Sequence, residues 1–162
     1  MNVRPAAVGD RDRLLEWAND PVARAAGFRL EPIPADSHAR WFARMLAEPA
    51  MGRIWIGIVA RRPMGVVRVD RAADGVLLVS IAVAPEDRGK GHSGALLQAG
   101  LRAARRAFPG APFRAWIRRS NAASIALFTR AGFQAPTTPP ALPPGAADPL
   151  GAADEFIVLE RD

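Results

Sequence analysis

Apolar residues recur along the chain with two different periods, and the changes of period mark out its elements. His38, Trp41, Phe42, Met45 and Leu46 fall at i, i+3, i+4, i+7 and i+8, one face of a helix with Asp36 or Ser37 near its cap and Pro49 at its end. Ahead of it, Met1–Pro5 reads as a short strand. Asp10 is expected to cap a helix that turns Leu14, Leu15 and Trp17 inward, and Asn19-Asp20-Pro21 reads as a turn opening a second helix. After Pro49 the period shortens to that of strands. Arg53–Ala60 and Met64–Asp70 are predicted strands with a turn at Arg61-Arg62-Pro63. A further turn at Ala73-Asp74-Gly75 leads into a third, completing an antiparallel meander.

The third run, Val76 to Ala84, is apolar or small throughout and rich in β-branched residues, the composition of a strand buried on both faces. Pro85 stops it, because proline cannot donate to a ladder. Arg88-Gly89-Lys90-Gly91-His92-Ser93-Gly94 follows and opens a helix in which Leu97, Leu101, Ala104 and Phe108 share a face. A glycine-rich turn feeding a helix N-terminus presents unpaired amides and the positive end of the helix dipole, a ready anion site to which Arg88 and Lys90 add charge. Pro109-Gly110 break the chain, and Ala111–Arg118 is expected as a strand joined to Val76–Ala84 by a right-handed parallel crossover. Ser120 or Asn121 caps a last helix that closes at Gly132, with Phe133 packing back. Residues from about 135 to 154 are proline- and alanine-rich and read as a long surface loop before a closing strand, Glu155–Leu159.

The chain has 162 residues, which suits one domain over its whole length, 1–162, with a real core. It holds no cysteine, so disulfides and thiolate chemistry are excluded, and a reducing, cytoplasmic location is the plain expectation. No stretch reads as a signal peptide or a membrane span. The net charge of +6 comes almost wholly from arginine, Lys90 being the sole lysine. The arginines are scattered singly among acids, with no basic run of the length that suggests a nucleic-acid patch. Phosphorylated small molecules would satisfy the same excess, and for any single arginine solubility and ion pairing are the plain reading. No spacing suggests a bound metal.

The loop matches neither common nucleotide-binding glycine pattern. It does match R-x-x-G-x-[G/A] at Arg88 and Gly91, with Ser93 in the last place, and the later block Asn121-x-x-Ser124-x-x-Leu127-Phe128-x-x-x-Gly132-Phe133 fits N-x-x-S-x-x-L-[Y/F]-x-x-x-G-F. Together these resemble the GNAT superfamily of acyl-CoA-dependent N-acyltransferases. The resemblance implies an α/β GNAT fold: a mixed, mostly antiparallel sheet with a splayed central strand pair and flanking helices. It implies acetyl-CoA as the cofactor, with backbone groups of Ile81, Ala82 and Val83 along the pantetheine arm. The amides of Arg88, Gly89, Lys90, Gly91, His92, Ser93 and Gly94 would take the pyrophosphate, and Asn121, Ser124 and Phe128 would line the thioester end. A backbone N–H near Val83 would stabilise the oxyanion. The family's proton-donating tyrosine falls at Phe128, and this chain contains no tyrosine.

Candidate catalytic side chains are then Ser80, which can hold a water in mid-strand, Ser124, and His38. His38 also has a plain alternative as a packed member of its helix stripe. The run Trp17-x-Asn19-Asp20-Pro21-x-x-Arg24 with His38-x-x-Trp41-Phe42 resembles a GNAT subgroup that acetylates nucleotide-linked 4-amino sugars in pseudaminic acid biosynthesis, and related runs occur in acetyltransferases of protein N-termini. On this basis Asn19, Arg24, His38, Trp41 and Arg68 are candidate acceptor-binding residues. The expected partner is a small-molecule amine on a nucleotide sugar, met by a monomer or homodimer, with no nucleic acid and no membrane. Two alternatives remain open: a peptide N-terminus as acceptor, and a non-catalytic acyl-CoA-binding module.

Overall fold

The computed structural model describes residues 1–138, 140 and 156–162. Eleven named elements follow in order: β1 (Asn2–Pro5), α1 (Arg11–Asn19), α2 (Pro21–Ala25), α3 (Ala35–Ala47), β2 (Gly52–Val59), β3 (Arg62–Arg71), β4 (Leu77–Val83), α4 (His92–Ala107), β5 (Phe113–Arg118), α5 (Ala122–Arg130) and β6 (Phe156–Arg161). The six strands form one sheet in sequential order β1-β2-β3-β4-β5-β6, antiparallel throughout except where β4 meets β5. Most of the expected 135–154 loop lies outside the described residues, as does Glu155, the first residue of the expected closing strand.

Strand alternation sorts the core onto two faces of the sheet. On one, α4 and α5 bury Leu96, Leu97, Leu101, Leu127 and Phe128 against Trp55, Met64, Val67, Val69, Leu77, Val79 and Phe113. On the other, α1 and α3 bury Leu14, Trp17, Phe42 and Met45 against Ile54 and Ile56. α4 lies very close to the sheet because Gly100 faces Val67: a Cβ there would fall 2.5 Å from Val67 Cγ1. Gly57 and Gly65 make the same room on β2 and β3, where a Cβ would meet Leu96 at 2.4 and 2.7 Å.

Several local expectations are corrected. Asp10 does not cap α1. Its carboxylate accepts from the Ala7 amide at 2.8 Å and pairs with both terminal nitrogens of Arg4 at 2.7 and 2.8 Å, pinning the end of β1. Leu15 is only half-buried. Neither Asp36 nor Ser37 caps α3, which already begins at Ala35, so both fall inside its first turn. The β2–β3 turn is not Arg61-Arg62-Pro63 but Ala60-Arg61, with φ of 48° and 63°; Arg62 and Pro63 already pair with Val59 and Ile58. A two-residue type I′ hairpin turn puts both central residues at positive φ, as Ala60 and Arg61 are, so register outweighed the proline signal. β4 is not buried on both faces: Leu77 and Val79 are buried, whereas Leu78, Ser80, Ile81, Ala82 and Val83 stay partly exposed.

Other local readings stand. Asp20 caps α2 by accepting from the Val22 and Ala23 amides, with Pro21 at the first helical position. Asn121 caps α5 through the Ser124 amide. α5 ends at Gly132 (φ 88°), where Gly132 N–H donates to Thr129 O and Phe133 N–H to Phe128 O, while the Phe133 ring meets Phe128 edge-on at 5.0 Å.

Candidate active site

The site begins where β4 and β5 part. Their parallel pairing is confined to Leu77↔Phe113 and Leu78↔Arg114, so the backbone of Ser80 to Val83 is hydrogen-bonded only on its β3 side. A strand whose second edge is unpaired within the sheet offers its N–H and C=O groups to an extended ligand. Ile81, Ala82 and Val83 lie on this edge, partly exposed. α5 starts just beyond the far end of β5, and its capping pair Asn121–Ser124 is partly exposed there too. Phe128, one turn further along α5, is buried at 3 % exposure against Phe133.

Beyond Val83, a single 3-10 turn (Pro85–Asp87) delivers the chain to the glycine loop. Gly89 and Gly91 both have φ of +75°, and Gly91 is the N-cap of α4 with no side-chain cap bond. A side chain at either position would be strained by the left-handed backbone, although nothing lies within 4 Å of where its Cβ would be. Gly94, in the first turn of α4, likewise has open space at its Cβ position. The loop therefore brings open room and left-handed residues to the start of a sixteen-residue helix.

The charges of this loop are committed elsewhere, which the sequence did not disclose. Arg88 pairs with Asp20 Oδ1 at 2.6 Å. Lys90 pairs with Asp87 Oδ1 at 3.0 Å, and the same buried Asp87 carboxylate takes both terminal nitrogens of Arg62 at 3.0 Å. These partners hold both aspartates below the usual carboxylate range, Arg88 acting on Asp20 and Arg62 foremost on Asp87. The anion cradle is thus mainly backbone, with its shape fixed by ion pairs behind it. A pyrophosphate suits such a set of amides, and the pantetheine arm suits the open edge of β4, so the residues present fit acetyl-CoA.

The opposite side of the site is built on the α1–α3 face. Arg68 is directly opposite Ser80 across the β3–β4 ladder, so the two share this face. The Arg68 guanidinium stacks over Trp41 at 5.2 Å from the ring centre. Its Nε is 2.7 Å from Asp70 Oδ2 but out of line for a hydrogen bond, which makes the contact an ion pair and leaves a buried N–H without an acceptor among the described residues. Arg24 donates through Nε to Ala18 O at 2.7 Å and through Nη1 to Glu31 O at 3.4 Å, and among the described residues no carboxylate pairs with it. Burial and then the charge of Arg68 lower its pKa. Asn19 is spent on structure: its amide donates to Ile33 O and accepts from Ile33 N–H.

His38 packs beside Trp41, at 5.2 Å between rings, and 6.1 Å from Phe42; it is 4 % exposed and borders a cleft of about 160 Å3 lined by Arg11, Asp12, Leu15, Ala35, Asp36 and Ala39. Burial foremost, then the charge of Arg11, pushes its pKa down, so the ring is neutral at pH 7, and among the described residues its buried Nδ1 has no partner. Among the described residues no three acidic, histidine or cysteine side chains gather as a metal site, and no helix is long and apolar enough to cross a membrane.

Comparison with known proteins agrees with this geometry. The family model described as an acetyltransferase (GNAT) domain matches residues 1–134. No curated protein matches the chain. Among solved structures, a ribosomal-protein-alanine N-acetyltransferase from Brucella melitensis is 20% identical, with 99% of each chain covered and a TM-score of 0.78. An N-acetyltransferase from Staphylococcus aureus Mu50 is 22% identical, over 99% of this chain and 97% of that one, with a TM-score of 0.77. A spermidine N-acetyltransferase from Vibrio cholerae, in complex with CoA and spermine, is 17% identical over 98% and 92%, with a TM-score of 0.72. With a family model spanning most of its length and a parted strand pair beside an amide cradle, the chain belongs to the GNAT family and is an acetyl-CoA-dependent N-acetyltransferase.

Proposed function

We propose that the acceptor is the primary amine of an amino sugar carried on a nucleotide, with acetyl-CoA bound along β4 and the loop at residues 88–94. The observation that carries the reading is the loss of β4–β5 pairing after Leu78 immediately ahead of the glycine loop. Acetyl-CoA supplies a thioester carbonyl: the amine nitrogen bonds to its carbon, the C–S bond breaks, and the amine proton leaves to solvent or to the sulfur. The chain's residues position this exchange. Ile81, Ala82 and Val83 hold the donor by backbone groups, and the amides of Arg88, Gly89, Lys90, Gly91, His92, Ser93 and Gly94 take its phosphates. Asn121, Ser124 and Phe128 border the reacting end. Ser80 and Ser124 hold water through their hydroxyls and pass a proton. His38, neutral and beside Trp41, is the further candidate for accepting the amine proton.

The acceptor assignment draws on Arg24 and Arg68, with Trp41 as a flat apolar wall. Two guanidinium groups, one lacking a carboxylate partner, favour a phosphate-bearing acceptor and oppose a polycation. The likeness to the Brucella enzyme keeps a protein N-terminus as the competing acceptor. The test is release of free CoA thiol with three amines in parallel: a nucleotide-linked 4-amino sugar, an alanine-terminated peptide and spermidine. Turnover fastest with the sugar is the expected result. Preference for the peptide transfers the assignment to N-terminal acetylation, and CoA binding without thiol release from any amine reduces the chain to a binding module.

A further inference from the structure

Asp20 stands at a junction that neither the fold nor the chemistry above requires. A single oxygen, Oδ1, accepts from the Val22 amide at 3.1 Å and the Ala23 amide at 3.2 Å and forms an ion pair with Arg88 Nη2 at 2.6 Å. The first two start α2; the third comes from the first residue of the glycine loop. Both side chains are partly exposed, at 18 % for Asp20 and 31 % for Arg88. The neighbouring Asn19 clamps Ile33 in both directions, and Arg24, on α2, is tied to Ala18 and Glu31. Arg118 at the end of β5 reaches the same segment by donating to Gly27 O at 2.9 Å. These bonds tie the stretch 19–33 together, and Asp20 Oδ1 joins it to the cofactor loop.

We propose that Asp20 is a positioning residue which, through Arg88, couples occupancy of the cofactor loop to the placement of α2 and Arg24 on the acceptor side. The inference rests on the acetyl-CoA reading. A pyrophosphate arriving at the loop adds negative charge beside Arg88 and fixes its backbone. Any shift of that guanidinium alters the one oxygen that also holds the first turn of α2. Acceptor-side geometry then becomes set only when the donor is bound, an order of assembly that keeps the acceptor wall from closing on an empty loop.

Amide hydrogen exchange with CoA as the probe tests this without knowledge of the acceptor. In the wild-type chain, saturating CoA slows exchange in the loop at 88–94 and also across 19–33, the latter by about fivefold or more. In Asp20→Asn, whose side chain still caps α2, and in Arg88→Gln, which leaves the cap untouched, CoA still protects the loop while the added protection of 19–33 is lost. Direct contact between CoA and 19–33 would survive both substitutions. Protection of 19–33 that persists in the two variants, or is absent in the wild type while the loop is protected, overturns the coupling. A wild-type loop that CoA does not protect overturns the cofactor reading itself.

Discussion

Gly91 offers the sharpest test of the cofactor site, because two substitutions there separate backbone strain from charge. Its φ of +75° puts any side chain in the left-handed region, and its Cβ would meet nothing within 4 Å. Gly91→Ala and Gly91→Glu therefore share a conformational cost of about 1–2 kcal/mol and no steric one. They differ in one carboxylate, carried by a flexible side chain into the space before the α4 amides. At about 5 Å and an effective dielectric near 20, two unit charges repel by about 3 kcal/mol, and a pyrophosphate carries more than one. The glutamate variant should accordingly bind acetyl-CoA about 100-fold more weakly than the alanine variant, with equal thermal stability. Calorimetric titration of wild type and both variants measures this, with thermal unfolding as the control. Affinities of the two variants within about threefold of each other would refute the placement of phosphate at this helix start.

Other consequences can be measured independently. Gly100→Ala places a methyl 2.5 Å from Val67 Cγ1 and should lower stability by about 1–3 kcal/mol despite a helix-propensity gain of about 1 kcal/mol; an unchanged urea midpoint would contradict the close α4–β3 packing. Arg4 foremost holds the Asp10 carboxylate below its ordinary value of 3.8, so the ion pair's stabilisation is complete above that pH and is lost as pH falls through the lower folded value. Asp10→Asn should cost about 1–3 kcal/mol at pH 7 and flatten the acid side of the stability profile below about pH 4, as followed by urea unfolding across pH. Phe128→Tyr introduces a hydroxyl at a buried ring edge-on to Phe133, so it should lower stability by about 1–3 kcal/mol. Its rate of thiol release should not rise; a rise of tenfold or more would show that a missing general acid limits the enzyme, within the range of about 10²–10⁴ such a group supplies.

How much of this was legible in the sequence depended on how local the determining physics is. The meander, the crossover helix, the Asp20 and Asn121 caps and the Gly132 terminus follow from signals within a few residues, and the structure places each close to where it was read. The Ala60-Arg61 turn escaped because two non-glycine residues take positive φ to satisfy strand register, which Pro63 obscures. Asp10 looked like a helix cap because the sequence does not reveal that Arg4 folds back beside it. The composition of Val76–Ala84 suggested burial on both faces, yet half of that strand faces the site. Arg88 with Asp20 and Arg62 with Asp87 join side chains far apart in sequence, so these pairings behind the glycine loop left no pattern to read.

That last difference accounts for the uneven clarity of the two halves of the site. The donor half is made of backbone: an unpaired strand edge, left-handed glycines and a helix start. Backbone features leave glycine and proline spacing in the sequence, so a family pattern can be recognised from them. The basic side chains of the loop are ion-paired, Arg88 with Asp20 and Lys90 with the Asp87 that Arg62 also holds, and these pairs brace the loop. In the proposed reading the acceptor half draws on side chains of α2, α3 and β3, namely Arg24, Trp41 and Arg68, with Arg68 stacked over Trp41 and ion-paired with Asp70. A change of one residue there alters what the wall attracts without disturbing the fold. Donor binding is therefore as durable as the backbone, whereas acceptor choice rests on a few charges.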